Sequence, residues 1–581
     1  MEAPGDSTQR AATRSLPVVM LLGAVTGLAV ALLAVGFVTA VFRLNDLLLI
    51  SPRSRMMAVE GTWVVVATVV VPTAGGLVVG LLHHLIVEHR PHGPPEVIAA
   101  VQTRRGRLPA RPGVLSALSA LVALGSGASV GQYGPLVHLG GTFGSLAARL
   151  TGGGRSVDSI AIACGVAAAI ATAFKAPIAG ILFAHEVVLR HYALRAFAPV
   201  AAAAVVGFVV EGVAFERPAL FYVESAQVAH AWEYGVFLLV GVGGAVVATV
   251  YMTAIRWASR LGARVPVPRI LRPALAGAAL GLAALWLPEI LGIGAVTLRF
   301  ATIEGAFGAP ELVAILLAKI LATAVCLGLG FSGGVFSPAL VVGTLFGALC
   351  GIAVDGVTGG DHATMVVYAV CGMVAVTAPV IGAPLAMLLI VFELTGSYPL
   401  TIAALASVAV ANPLAARLFG ASLFDTQLRE RGLDLSAGRD RAVLQGESVH
   451  RHVSEDCVRV SPQAVPATVR DELGRSGRSE AFLVDEAGRY HGTVTLARLE
   501  AIRGDDGVET VSALVDRAYP ALAGDASLWA AVHALQTQAG EALPVVTRGD
   551  RRFLGVVHET AITRAYLGTL EAIRDEEHAA R

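Results

Sequence analysis

The feature that most constrains this chain is the length of its apolar runs. Leu16 to Phe42 and Thr62 to Val87 each exceed the roughly 20 residues that carry an α-helix across a bilayer. Comparable runs recur until about Phe419, in a chain of 581 residues that is 55% hydrophobic and only 15% charged. Such a composition lies far from that of a soluble domain and predicts an all-α, polytopic membrane domain. The 43 basic and 43 acidic residues cancel, so no net field points to nucleic acid as a partner. Charges are sparse up to Phe419 and ordinary from the stretch RERGLDLSAGRDR, which begins at Arg429. The expected organisation is an N-terminal segment 1–15, a membrane domain 16–427 with halves of about 16–215 and 230–427, a linker 428–444 and a soluble domain 445–581.

Arg104, Arg105, Arg107 and Arg111 crowd one short loop, which the positive-inside rule assigns to the cytoplasm. Two spans precede that loop, so the N-terminus is expected on the same side, although Arg53 and Arg55 then fall outside. The first run, preceded by Arg10 and Arg14, is too long for a signal-peptide core and is expected to be retained. Cys164, Cys326, Cys350, Cys371 and Cys457 have no metal-site spacing, and no metal is expected.

The membrane domain repeats itself. CGVAAAIATAFKAPIAGILFAHEV from Cys164 and CGMVAVTAPVIGAPLAMLLIVFEL from Cys371 share Cys-Gly, Ala-Pro and a glutamate in register. GPLVHLGGTFGSL from Gly134 is repeated as SPALVVGTLFGAL from Ser337. Two equivalent halves place a transport site where they meet. The stretches SGASVGQYGP and SGGVFSP carry the glycines and proline of a helix that starts within the membrane, where irregular backbone is tolerated only in a protein interior or along a cavity. Such a start presents unpaired N–H groups and about half a positive charge, which suits an anion. Dipoles can replace an anion's water without the trapping that a full positive charge would bring.

These motifs resemble those of the CLC family of chloride channels and proton-coupled chloride transporters. The family patterns G-S-G-I-P, G-[KR]-E-G-P and G-x-F-x-P correspond to PHGPP (Pro91 to Pro95), GQYGP (Gly131 to Pro135) and GVFSP (Gly334 to Pro338). The resemblance implies an inverted repeat with discontinuous helices and an anion pathway along His92, Gly93, Gln132, Tyr133, Gly134, Val335, Phe336 and Phe424. It also implies chloride or another small anion as substrate, a lipid bilayer as surroundings, and a homodimer in the cell membrane with the N-terminus and soluble tail in the cytoplasm.

Several positions depart from the pattern. Tyr133 stands where the family has a gating glutamate, and a phenol with a reference pKa near 10 is uncharged at neutral pH. Val187, after Glu186, stands where exchangers of the family carry a second proton-handling glutamate. His92 replaces a serine and Phe424 a tyrosine, and the imidazole of His92, titrating near pH 6.5, is expected to make conduction pH-dependent. With both proton glutamates absent, the favoured expectation is a passive, voltage- or pH-modulated channel gated at Tyr133. The alternatives are an antiporter with another proton path, through His92 or Glu186 for example, and a non-conducting sensor. Glu186 and Glu393 hold equivalent repeat positions, which suggests helix-end bonding for both.

The tail contains SEAFLVDEAGRYHGTVTLARLEAI and ALPVVTRGDRRFLGVVHETAITRA, each reading as strand, turn, strand and helix. They resemble the α/β CBS-domain pair of many CLC proteins. The family's adenine-nucleotide pattern, Thr or Ser with Asp three residues on, reads here as Thr495 with Arg498 and His558 with Ala561, so a nucleotide is possible but not favoured, and no other cofactor is expected. GASVG (Gly127 to Gly131) and GFSGG (Gly330 to Gly334) match a serine-nucleophile pattern, yet Ser332 is followed first by His362 in a polar loop. No enzyme is expected.

Overall fold

A computed structural model describes residues 16–51, 54–55, 61–103, 107–151, 155–214, 228–360, 363–436, 438–501, 508–537 and 540–578. The segment 1–15, Arg53, Arg104, Arg105 and His362 lie outside the described residues. Two compact units divide at Gly432 and Leu433.

The first unit is helical and opens with α1 Leu16–Leu47, α2 Gly61–His84, α3 Pro94–Gln102, α4 Ala110–Gly125, α5 Tyr133–Thr151, α6 Arg155–Phe174, α7 Pro177–Phe183 and α8 Leu194–Ala214. The same order of long and short elements then recurs as α9 Glu233–Arg264, α10 Arg272–Ala283, α11 Ala295–Phe300, α12 Ala309–Gly328, α13 Phe336–Thr358, α14 Met365–Ile381, α15 Pro384–Thr395 and α16 Tyr398–Phe419, followed by α17 Leu423–Glu430. Eight helices among the described residues are long and apolar enough to cross a bilayer.

The most enclosed helices are the repeat counterparts α6 and α14. Nine-tenths of the α6 span is buried, and every residue of α14 from Val366 to Ile381 is buried. Small residues permit this depth. A Cβ on Gly165 would lie 2.0 Å from the Gly140 carbonyl oxygen, and one on Gly347 would lie 2.2 Å from that of Tyr368. Glycine thus brings α6 onto α5 in one half and α14 onto α13 in the other, by the small-residue packing that holds helices together where lipid offers no hydrophobic drive.

The halves are tied reciprocally. Pro177 and Pro384 open α7 and α15, where a missing N–H costs nothing. The Glu393 carboxylate accepts the next two N–H groups of α7, from Ile178 at 2.9 Å and Ala179 at 2.8 Å. Glu186 does the same for α15, accepting from Leu385 at 3.1 Å and Ala386 at 2.9 Å. Residue i of one half thus meets j of the other while j meets i, the signature of a two-fold relation between them. The helix-end role expected for this glutamate pair is what the structure shows.

The second unit contains two three-stranded sheets of one topology. In the first, β1 Val458–Val460 runs parallel to β2 Glu480–Val484, which pairs antiparallel with β3 Tyr490–Thr495. In the second, β4 Leu522–Ala523, β5 Ala542–Val546 and β6 Phe553–His558 repeat that order. Each antiparallel pair lies where the strand–turn–strand reading of the sequence put it. The stretch 428–444, expected as a linker, differs: it carries the end of α17 and most of a helix, Arg439–Gly446. Leu444 of that helix belongs to the core built on Leu528, Leu543 and Val557. Its Ala-Val-Leu run supplies an apolar face too valuable to leave in solvent.

Candidate functional site

Three glycine- and proline-bearing tips, far apart in sequence, come together where α3, α5 and α13 begin. Gly131 and Gly334 form a two-bond antiparallel bridge, with N–H to O distances of 2.7 and 2.6 Å. A Cβ on Gly134 would stand 2.9 Å from Gly334 Cα and 3.6 Å from Pro94 Cδ, so all three sequence motifs converge. The Ser337 hydroxyl oxygen accepts the Gln132 N–H at 3.3 Å. Tyr251, buried on α9, donates its hydroxyl to the Val335 carbonyl at 2.9 Å. That bond holds the residue preceding α13 while its helix-start N–H groups, which lack intrahelical acceptors, stay available.

The third tip is fixed by charge. Glu96, in the first turn of α3, accepts the Gly93 N–H at 2.7 Å and pairs with Arg90 at 2.5 Å. Arg431 also donates to Glu96. His92 is held by its backbone, whose N–H donates to Ser116 Oγ at 2.9 Å. Its side chain is only 6% exposed, its Nε2 stands 3.6 Å from a Glu88 oxygen, and neither ring nitrogen has a hydrogen-bond partner. The His138 ring meets it edge to face at 5.6 Å between centroids, and His138 Nε2 likewise has no partner.

Tyr133 starts α5 but does not stand alone. Its ring stacks on Phe174 at 3.9 Å and meets Phe336 edge-on at 5.2 Å. Phe336 also lies 5.3 Å from Phe174 and 6.4 Å from Phe183. Four rings from α5, α6, α7 and α13 thus close over the converging tips, and Tyr133 is buried among them. Sequence reasoning missed Phe174, Phe183 and Tyr251. Only the first had a signal, its place just before the repeated Ala-Pro.

A second group of expected residues gathers elsewhere. Val187, Glu186 and Phe424 line a cavity of about 300 Å³ with His185, Arg190, Ile381, Ser422 and Asp425. Arg190 pairs with Asp425 at 2.5 Å, and Ser422 caps α17 by accepting the Asp425 N–H at 3.1 Å. Ile381 is the repeat counterpart of Phe174, so one position serves the ring cluster in one half and the cavity in the other.

The half-buried Lys175 and the buried Lys319 are both accounted for. Lys175 lies 3.3 Å from Glu211, and Lys319 donates to the carbonyls of Ile290 and Gly292 at 2.9 and 2.8 Å. Ser332 does have a histidine within reach, which a search after it in the chain could not find: His83 Nε2 stands 2.7 Å from Ser332 Oγ, with Ser119 Oγ 2.9 and 2.6 Å from the two. The third member is a hydroxyl, which cannot stabilise an imidazolium as a carboxylate does, so this buried triangle pins the loop before α13 to α2 and α4. Among the described residues no group of three or more His, Cys, Asp or Glu could hold a metal.

The family model for voltage gated chloride channels matches residues 74–416, and that for the CBS domain matches residues 511–568. A ClcB-like chloride channel protein of Ralstonia nicotianae is 33% identical over 341 residues, 57% of this chain and 78% of that one. A slow cyanobacterial Cl⁻/H⁺ antiporter of solved structure aligns with 73% of this chain and all of its own at a TM-score of 0.65 and 22% identity. A eukaryotic CLC transporter aligns with 94% of this chain and 97% of its own at 0.62 and 20%.

Proposed function

This chain belongs to the voltage gated chloride channel, or CLC, family and is a multi-span membrane protein that transports anions, and we propose that it conducts chloride passively, without obligatory exchange for protons. The observation that carries the reading is the environment of Tyr133. A neutral phenol, stacked on Phe174 and edge-on to Phe336 at the start of α5, offers no carboxylate to exchange a proton with a passing anion, and Val187 offers none at the cavity. The rings act as the gate, opening when Tyr133 leaves Phe174. The anion is held by the helix-start N–H groups of Tyr133, Gly134, Val335 and Phe336, and by an N–H of His92, whose ring nitrogens have no protein partner. Gly93 and Gln132 shape the tips, and Phe424 bounds the pathway at the cavity. Glu186 is not the substitute proton carrier, because both its oxygens cap α15.

The protein works as a homodimer in the cell membrane, with its N-terminus and CBS pair in the cytoplasm, and a small anion and the lipid are its partners. Chloride efflux from proteoliposomes, recorded beside a pH probe, tests the reading. Chloride leaving without proton movement is expected; stoichiometric proton uptake would establish the antiporter instead.

A further inference from the structure

The turn after α7, Ala184–Leu189, is π-helical and ends at Arg190 in the left-handed region with φ 59°. A π turn disturbs the helical register and is found frequently at functional sites. Here it sets His185 and Glu186 side by side on the wall of the cavity of about 300 Å³. Glu186 is occupied by the two N–H groups of α15. His185 is not. Its Nδ1 stands 2.8 Å from the His191 carbonyl oxygen, which only accepts, so Nδ1 carries the hydrogen and the neutral ring keeps a bare lone pair on Nε2. That nitrogen has no partner although the residue is 1% exposed. Tyr192 stacks on the ring at 5.7 Å and Phe197 at 6.2 Å, which fixes its orientation.

The charged and titratable groups around it are few. Glu186, Arg190, Tyr192 and Asp425 line the cavity. His191 Nδ1 accepts the Ala193 N–H at 3.3 Å. From α3 comes the neutral amide of Gln102, which donates to the carbonyls of Val188 and Leu189; Glu96 on the same helix is bound to Arg90 and Arg431. Asp158 and Cys164 of α6 are not on the cavity wall. With the ring neutral, the wall sets two carboxylates against one guanidinium, and an anion meets net negative charge. With the ring charged, the signs balance and the wall holds two cationic groups, Arg190 and the His185 imidazolium.

We propose that His185 is a proton-binding site of this cavity and that its imidazolium admits a small anion there beside Arg190. The proton comes from cavity water and forms the Nε2–H bond; no bond within the protein breaks. The inference rests on the anion-conduction reading above, so its test needs a second arm. In the first arm, chloride efflux from proteoliposomes of the full chain is compared at pH 5.5 and 7.5. The wild-type ratio is expected to be about threefold or more, as focusing of an anion by one added charge allows. His185→Gln is expected to bring the ratio to about one, whereas His92→Ser, which removes the ring whose two nitrogens both lack a hydrogen-bond partner, leaves a ratio above one. An undiminished ratio in His185→Gln overturns the proposal. In the second arm, potentiometric titration of detergent-purified protein counts protons bound between those pH values: one fewer per chain in His185→Gln supports the site, and equal counts overturn it whether or not the protein conducts. Should His185→Gln not fold, His185→Phe keeps the stack with Tyr192 and Phe197 while removing both nitrogens, and is judged by the same outcomes.

Discussion

Gly334→Ala tests the junction on which the proposed anion site depends. The new Cβ would lie 2.8 Å from Gly134 N and 3.0 Å from Gly134 Cα. Both are backbone atoms, so no side-chain rotation relieves the overlap, and the tips must part by roughly 0.5–1 Å to restore ordinary contact. The same movement stretches the bridge to Gly131, now at 2.6 and 2.7 Å. Overpacking of this kind costs about 1–3 kcal/mol, and two buried backbone hydrogen bonds contribute about 1 kcal/mol each. The sum, about 3–5 kcal/mol, is a local cost borne where the helix-start N–H groups are aimed. One tenfold step in rate corresponds to about 1.4 kcal/mol, so chloride efflux per reconstituted chain should fall at least about tenfold. Gly36→Ala and Gly212→Ala are the controls, since a Cβ at either meets nothing within 4 Å, and both should conduct as the wild type does. Wild-type efflux from Gly334→Ala would refute the convergence of the tips as the basis of transport.

Glu393→Gln and Glu186→Gln each keep one oxygen and lose the other half of a charge-assisted cap, so each should lower stability in detergent melts by about 1–3 kcal/mol; a large drop in one alone would contradict the two-fold relation. In the tail, burial pushes the Glu480 carboxyl above its ordinary range, against the Glu541 N–H that favours its charged form. A raised carboxyl pKa stabilises the fold at low pH and loses that benefit as pH rises through the folded value. Glu480→Gln should therefore raise the melting temperature of the tail more at pH 7.5 than at pH 5, and the opposite order in scanning calorimetry would overturn the assignment. Arg498 is engaged with Asp516 at 3.2 Å and the Val515 carbonyl at 3.0 Å, so titration calorimetry should find adenine nucleotide binding no tighter than about 1 mM; micromolar binding would show that the missing acidic residue does not matter.

Much of the fold was legible because the duplication writes the same signals twice. The Ala-Pro that opens α7 and α15 and the glutamate that caps the opposite helix stand at one repeat position each, so their shared role could be read before any contact was known. The tips were legible through glycine and proline, which mark helix starts directly. What could not be read depends on register between elements distant in the chain. His83 reaches Ser332 only because α2 packs beside the loop before α13, and Tyr251 finds the Val335 carbonyl from the middle of α9, where nothing in a long apolar helix distinguishes it. The π turn at Ala184–Leu189 left no periodic trace, and so the free nitrogen of His185 was hidden while its neighbours Glu186 and Val187 drew attention through the repeat. The short helix at Arg439–Gly446 was hidden by its charges, which equal in number the three apolar residues it buries.

The most direct test of uncoupled conduction is the reversal potential of the current through the reconstituted protein, with equal chloride on both sides and a pH gradient of about one unit. Passive chloride conduction predicts reversal at zero voltage whatever the direction of the gradient. A reversal potential displaced in proportion to the pH difference would contradict it and would mean that protons cross with the anion despite Tyr133 and Val187.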